Sequence, residues 1–228
     1  MAHDVPADHL GHRKRLRDKL LKHGSGGLAD YELLELVLFG AIPRGDVKPL
    51  AKRLLRQFGS FSDVISAEPV RLMDVEGIGE SAAAYLKAVQ AAGLYLMRDQ
   101  VMDKPVISSW DALMDYCRAS MVYEKREQFR ILFLDKKNRL IDDEVQQRGT
   151  VDHTPVYPRE VVKRALELGA TALIMIHNHP SGDPTPSRAD LEMTRKVIDA
   201  AQSLGIIVHD HVIVAKRDSY SFRSHGII

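Results

Sequence analysis

The sequence predicts a helical N-terminal domain followed by an α/β domain built on a mixed sheet. Through the first hundred positions apolar residues recur at helical spacing, with no convincing strand pattern. Beyond position 120 the texture changes to short alternating or continuous apolar runs, separated by helices that end at glycine. Between these halves, residues 99–105 are polar and end at Pro105, which reads as a linker.

In chain order, residues 28–38 form a strongly apolar helix with Asp30 as its N-cap, and residues 47–58 form a second helix stopped by Gly59. A short helix over 69–75 leads into Gly77-Ile78-Gly79, and an Ala-rich helix follows from Ser81 to about Met97. A helix over 110–120 precedes a strand over 129–134, a turn at Asp135-Lys136-Lys137-Asn138 and a strand over 140–145, which together read as a hairpin. Residues 158–168 are an amphipathic helix closed by Gly169. Residues 172–176 are a buried strand, 187–204 a helix ended by Gly205, and 206–215 the next strand.

Composition excludes several classes. With 32 Lys and Arg against 31 Asp and Glu, the net charge is +1, so bulk charge neither demands nor forbids nucleic acid. A basic run at Arg13, Lys14, Arg15, Arg17, Lys19 and Lys22 is either a solvated helix face or a phosphate-facing one. The single cysteine, Cys117, rules out an internal disulfide and a cysteine zinc cage, and its helical setting suits a buried small hydrophobe. The opening residues 1–6 lack a basic segment followed by an apolar one, and no apolar run is long enough to span a bilayer, so a cytoplasmic protein with no membrane partner is expected.

Chemistry concentrates in His177-Asn178-His179-Pro180-Ser181-Gly182-Asp183-Pro184-Thr185-Pro186-Ser187-Arg188-Ala189-Asp190. His177 and His179 are two apart at a strand end, so both imidazoles project from one face. Asp190, in the first turn of the next helix, can turn its carboxylate back toward them. Two histidines and one carboxylate leave a tetrahedral metal one open position, the arrangement of catalytic rather than structural zinc. A bare H-x-H is more often surface or hydrogen-bonded than metal-bound, and Ser187 with Asp190 three residues later also spells a helix capping box. His209-Asp210-His211 is a second H-x-H, read as a structural or substrate-lining pair ahead of a second metal site, because it lacks an obvious third ligand.

Taken whole, the string resembles the JAMM motif, and its His-Asn-His-Pro-Ser-Gly form resembles the RadC family, over about Arg13 to the C-terminus. The resemblance implies a cytidine-deaminase-like JAB/MPN fold for residues 106–228, with Zn2+ held by His177, His179 and Asp190. It also implies a glutamate that activates water, placed just before the first strand of the domain. Glu124, Glu127, Glu144 and Glu160 are candidates; Glu127, followed by Gln128-Phe129-Arg130-Ile131-Leu132-Phe133-Leu134, fits that placement best and Glu144 second. Ser187 takes the place of the family serine that hydrogen-bonds an oxyanion.

Residues 1–100 carry a second resemblance. Leu72-Met73-Asp74-Val75-Glu76-Gly77-Ile78-Gly79, followed by Ala83 and Leu86, resembles a helix-hairpin-helix motif. There Gly77, Ile78 and Gly79 present backbone N–H groups to a DNA phosphate, with Lys52, Arg53 and Arg56 as supplements. Glu76 replaces the usual proline before the first glycine, and Phe39-Gly40-Ala41-Ile42-Pro43 stands where relatives carry Gly-Thr-Gly. Three functions follow as expectations: a zinc hydrolase acting on a protein or peptide amide or isopeptide bond, a metal-dependent DNA-processing nuclease, and a DNA-binding module with a non-catalytic metal.

Overall fold

A computed structural model describes residues 11–148, 156–216 and 218–228. The opening residues 1–6 read above lie outside that set. The chain packs as two units, the first ending at Gly93 and the second running from Leu94 to Ile228.

The first unit is helical: α1 (His12–His23), α2 (Asp30–Ala41), α3 (Lys48–Phe58), α4 (Phe61–Ser66), α5 (Pro69–Met73) and the first part of α6 (Glu80–Val101). Leu34, Leu38, Ala51, Leu54, Val64, Leu72 and Leu86 fill its core. Each such fully buried leucine contributes about 1.5–3 kcal/mol. Part of the basic run is spent inside this unit. Lys19 pairs with Glu32 at 2.6 Å, and Arg13 donates to the Ile42 carbonyl at 2.8 Å while lying over the Phe39 ring. Asp30 is not the N-cap of α2; Ala29 is. Glu32 reaches back to the Ala29 amide at 2.9 Å, and the Asp30 carboxylate instead accepts from the Phe61 amide at 3.3 Å. Between α5 and α6, Gly77 adopts a φ of 96°, which a residue with a Cβ resists. Ile78 is buried while Gly77 and Gly79 are exposed.

In the second unit a five-stranded sheet runs in the order β2-β1-β3-β4-β5, from β1 (Gln128–Leu134), β2 (Leu140–Arg148), β3 (Ala172–Asn178), β4 (Ile207–Val214) and β5 (Ser219–Ser221). Only β3 and β4 pair in parallel, joined through α9 (Arg188–Gln202), so the sheet is mixed. Alternation along β3 sends Ala172, Ile174 and Ile176 to one core with α7 (Trp110–Met121). Leu173 and Met175 face the other, with α8 (Pro158–Leu168) and α9. All of β3 is buried, as its continuous apolar run requires.

The expected linker over 99–105 is not one. Helix α6 runs on to Val101, which is buried in this unit's core, and Met102 and Pro105 form bridges to Leu140 and Arg139. Cys117 is wholly buried, and that burial pushes its thiol up to about 12. No helix among the described residues is long and apolar enough to cross a membrane.

Candidate metal centre

The face of β3 that carries Leu173 and Met175 carries His177 next, at the strand's C-terminal end. The ladder continues one step further, because the His179 amide donates to the Val214 carbonyl at 3.1 Å. His179 therefore shares the face of His177. The chain then turns at Pro180 and Ser181, and Gly182, at φ 88°, donates its amide to the His179 carbonyl at 3.0 Å. Helix α9 starts at this level of the sheet, which brings Asp190 to the two histidines.

Ligating atoms of His177, His179 and Asp190 all lie within 4.8 Å of one another, the sole such set among the described residues. His177 Nε2 is 3.0 Å from His179 Nε2 and 3.3 Å from Asp190 Oδ1; His179 Nε2 is 3.6 Å from Asp190 Oδ2. These separations match the edge of a tetrahedron with metal bonds of about 2.0–2.1 Å, which is roughly 3.3 Å. His179 Nδ1 lies 2.7 Å from the Asp183 carbonyl, which can only accept, so Nδ1 carries the hydrogen and a neutral His179 aims a lone pair from Nε2. Lone pairs of His179 and Asp190 thus converge, an arrangement that is costly without a cation, and the residues fit a divalent metal.

The surroundings tune the two histidines in opposite directions. Burial disfavours charge on His179, yet the bond to Asp190, the Asp183 carbonyl and the charges of Asp190 and Glu127 outweigh it and raise its pKa. Burial likewise opposes charge on Asp190, but the two imidazoles and the Ser187 hydroxyl beside it hold the carboxyl far below its usual range. His177 is fully buried and is pushed down, toward the neutral form a ligand needs. Its ring stacks on Phe129, its partner across the β1–β3 ladder, with centroids 5.7 Å apart.

Asp190 closes the capping box and also faces the two histidines. Oδ2 closes the capping box, accepting from the Ser187 amide at 2.7 Å and the Ser187 hydroxyl at 2.6 Å, while Oδ1 faces His177. The Ser187 hydroxyl proton is therefore directed at Asp190. It reaches a substrate oxygen only by leaving that bond.

Glu127 directly precedes β1. The antiparallel register pairs Phe129 with His177, and extending it by two residues sets Glu127 opposite His179. Asn178 fastens this segment: its Oδ1 accepts from the Gln128 amide at 2.7 Å, and its Nδ2 donates to the Glu124 and Arg126 carbonyls, both at 3.3 Å. Glu144 is gripped by Arg164 at 2.6–3.0 Å, and Glu160 lies in the first turn of α8 beside Arg159.

His209 and His211 do not act as a pair. The β3–β4 register slips between Leu173 and Ile174, whose partners are Val208 and Asp210, leaving His209 as an extra bulge residue. His209 accordingly joins Asp210 along a cavity of about 430 Å³ with Trp110 and Arg223, while His211 faces His177. Asp210 accepts from the Ser221 hydroxyl and from the His211 and Arg223 amides, which fixes β5 against β4. Asn178 and Thr194 are site residues to which the sequence reading gave no role, and His211 was read only as half of a structural or substrate-lining pair. The signal for Thr194 was its spacing of four from Asp190 on one helix face.

Mixed sheet, flanking helices and a His–His–Asp cluster between the end of β3 and the start of α9 are consistent with a JAB-type domain. Accordingly, a model of the RadC-like JAB domain matches residues 107–227, and a model of the UPF0758 N-terminal region matches residues 8–84. The UPF0758 protein of Rhodobacter capsulatus is 58% identical over 213 residues, covering 93% of this chain and all of that protein. That of Ruegeria pomeroyi is 55% identical over 224 residues, covering 98% of this chain and all of its own length. The chain belongs to the RadC-like UPF0758 family. A JAB domain of this kind suggests metal-dependent hydrolysis or a role related to DNA repair, and the cluster is compatible with a metal.

Proposed function

We propose that the protein is a zinc-dependent hydrolase that cleaves a peptide or isopeptide amide, with 106–228 as its catalytic domain. The observation that carries this is the convergence of His177, His179 and Asp190 beside the strand start that presents Glu127. Two imidazoles and one carboxylate suit Zn2+ among common divalent ions. Such an ion supplies Lewis acidity and makes a coordinated water acidic near neutral pH.

The remaining chemistry belongs to the chain's own groups. Glu127 accepts the proton of the attacking water and returns it to the leaving amine. Ser187 swings its hydroxyl from Asp190 toward the developing oxyanion, while the Ser187 amide keeps Asp190 Oδ2 in place. Asn178 holds the Glu127 segment at the required height. The test is Glu127→Gln: zinc content is retained while amide cleavage falls by about 10²–10⁴-fold. Loss of DNA nicking in that variant, with amide cleavage absent throughout, would instead support a nuclease.

The exposed backbone of Gly77 and Gly79, anchored by buried Ile78, favours an additional DNA-contacting role for the N-terminal unit as a helix-hairpin-helix. Arg53 donates to the Glu76 carbonyl at 3.0 Å and pairs with its carboxylate, which offsets the acidic residue beside this hairpin.

A further inference from the structure

A chain of short hydrogen bonds runs behind His177. Thr194 Oγ1 lies 2.6 Å from the Asp190 backbone carbonyl and 2.6 Å from His211 Nδ1; His211 Nε2 lies 2.8 Å from His177 Nδ1. Thr194 and His211 are both buried, His211 completely, and Phe222 stacks on the His211 ring with centroids 4.4 Å apart. His211 meets only a hydroxyl and another imidazole, and a metal-binding His177 must be neutral, so each ring carries one hydrogen.

Counting hydrogens then leaves one arrangement. The Asp190 carbonyl only accepts, so the single hydroxyl hydrogen of Thr194 goes to it. Were that hydrogen given to His211 instead, two oxygens would face each other at 2.6 Å with no hydrogen between them. Thr194 Oγ1 must therefore accept from His211, which places the His211 hydrogen on Nδ1. His211 Nε2 is then an acceptor, and the neighbouring His177 Nδ1 must be the donor. His177 Nε2 is left bare, aimed at His179 and Asp190.

We propose that Thr194 and His211 are positioning residues that lock His177 in its Nδ1–H form, so that its Nε2 lone pair is always presented to the metal centre. The inference deepens the hydrolase reading and rests on it. Metal-bound histidines commonly donate the other ring N–H to a carboxylate, carbonyl or water. Here the acceptor is a second neutral histidine, whose own tautomer is dictated by a helix carbonyl through one hydroxyl. The relay starts at the backbone of Asp190, so ligand placement and ligand tautomer are set by the same turn of α9. Both ring planes are held by aromatic neighbours, Phe129 on His177 and Phe222 on His211.

The decisive experiment is long-range 1H–15N NMR of the full chain in the presence of Zn2+, at mildly alkaline pH. The expected result is Nδ1–H on both His177 and His211. A hydrogen on Nε2 of either ring overturns the proposal. Thr194→Val supplies the second arm. Without the hydroxyl acceptor His211 moves its hydrogen to Nε2, His177 follows, and zinc affinity falls by about 10–100-fold. Thr194→Ser keeps the parent tautomers and affinity. A folded Thr194→Val protein with parent tautomers and parent zinc affinity would overturn the relay. If the parent chain binds no zinc while both rings show Nδ1–H, the hydrolase reading fails and the relay stands.

Discussion

Replacing Asn178 with alanine removes the clamp on the segment that carries Glu127. The Gln128 amide, on a residue 3% exposed, loses its 2.7 Å partner. An unsatisfied buried donor costs about 1–3 kcal/mol. The bonds to the Glu124 and Arg126 carbonyls are longer, at 3.3 Å, and lie on exposed residues that water can reach, so together they add about 1 kcal/mol at most. The total is about 1–4 kcal/mol, most of it from one amide. Hydrogen exchange reads this directly: the Gln128 amide should exchange about 5- to 150-fold faster than in the parent, each 1.4 kcal/mol being tenfold. Amides of β4 should be unchanged. Zinc binding should persist, because none of the three ligands is altered, while amide cleavage falls. Parent-like protection of Gln128 in the folded variant would refute this account of how Glu127 is held.

Two further outcomes follow from the packing. Burial opposes charge on Asp143, but the Arg98 hydrogen bond, the Arg130 charge and the Tyr116 hydroxyl win and hold its pKa below the ordinary 3.8. A carboxyl depressed in the folded state stabilises fully above its unfolded pKa and loses that stabilisation as pH falls through the folded value, so acid unfolding below about pH 4 should carry an Asp143 component. Asp143→Asn should remove this component and cost about 3–5 kcal/mol at neutral pH, nearer the lower figure because Arg98 is one-third exposed. Gly77→Val meets only ordinary contact with Leu50, but it places a β-branched residue at a φ of 96°, so it should destabilise the first unit by about 1–3 kcal/mol. It should also weaken DNA binding with zinc content unchanged; unaltered DNA affinity in a folded variant rejects the hairpin's role.

The sequence made some levels of this structure legible and hid others for physical reasons. Continuous or alternating apolar runs announced β1, β2, β3 and β4, and glycine stops marked the ends of α8 and α9; in β1 and β3, burial on both faces leaves few residue choices. What failed were features decided by partners distant in sequence. Residues 99–105 looked like a polar linker, yet Val101 is buried and Met102 and Pro105 bridge to the hairpin, contacts with residues 38 and 34 positions away. Asp30 looked like a cap, but Glu32 took the Ala29 amide and left Asp30 for Phe61. The three-residue β5 is too short to carry a period.

At the metal centre, His177, His179 and Asp190 were visible as a spaced motif because strand alternation and a helix start fix their directions locally. His211 was visible but not its place. A bulge at His209 shifts the alternation by one, so the second H-x-H splits between the two faces of the sheet, which no reading of the string alone reveals. Thr194 carried only its spacing of four from Asp190, and its contact with His211 across α9 and β4 is what makes its hydroxyl matter.

The claim at the centre of the account is that His177, His179 and Asp190 together bind one metal ion. Zinc titration of metal-free protein, parent beside His179→Ala, tests it most directly. The parent should take up about one equivalent, as a single mononuclear site demands, and the variant should lose that binding. A parent chain that binds no zinc, or a variant that binds it as tightly as the parent, would contradict the account.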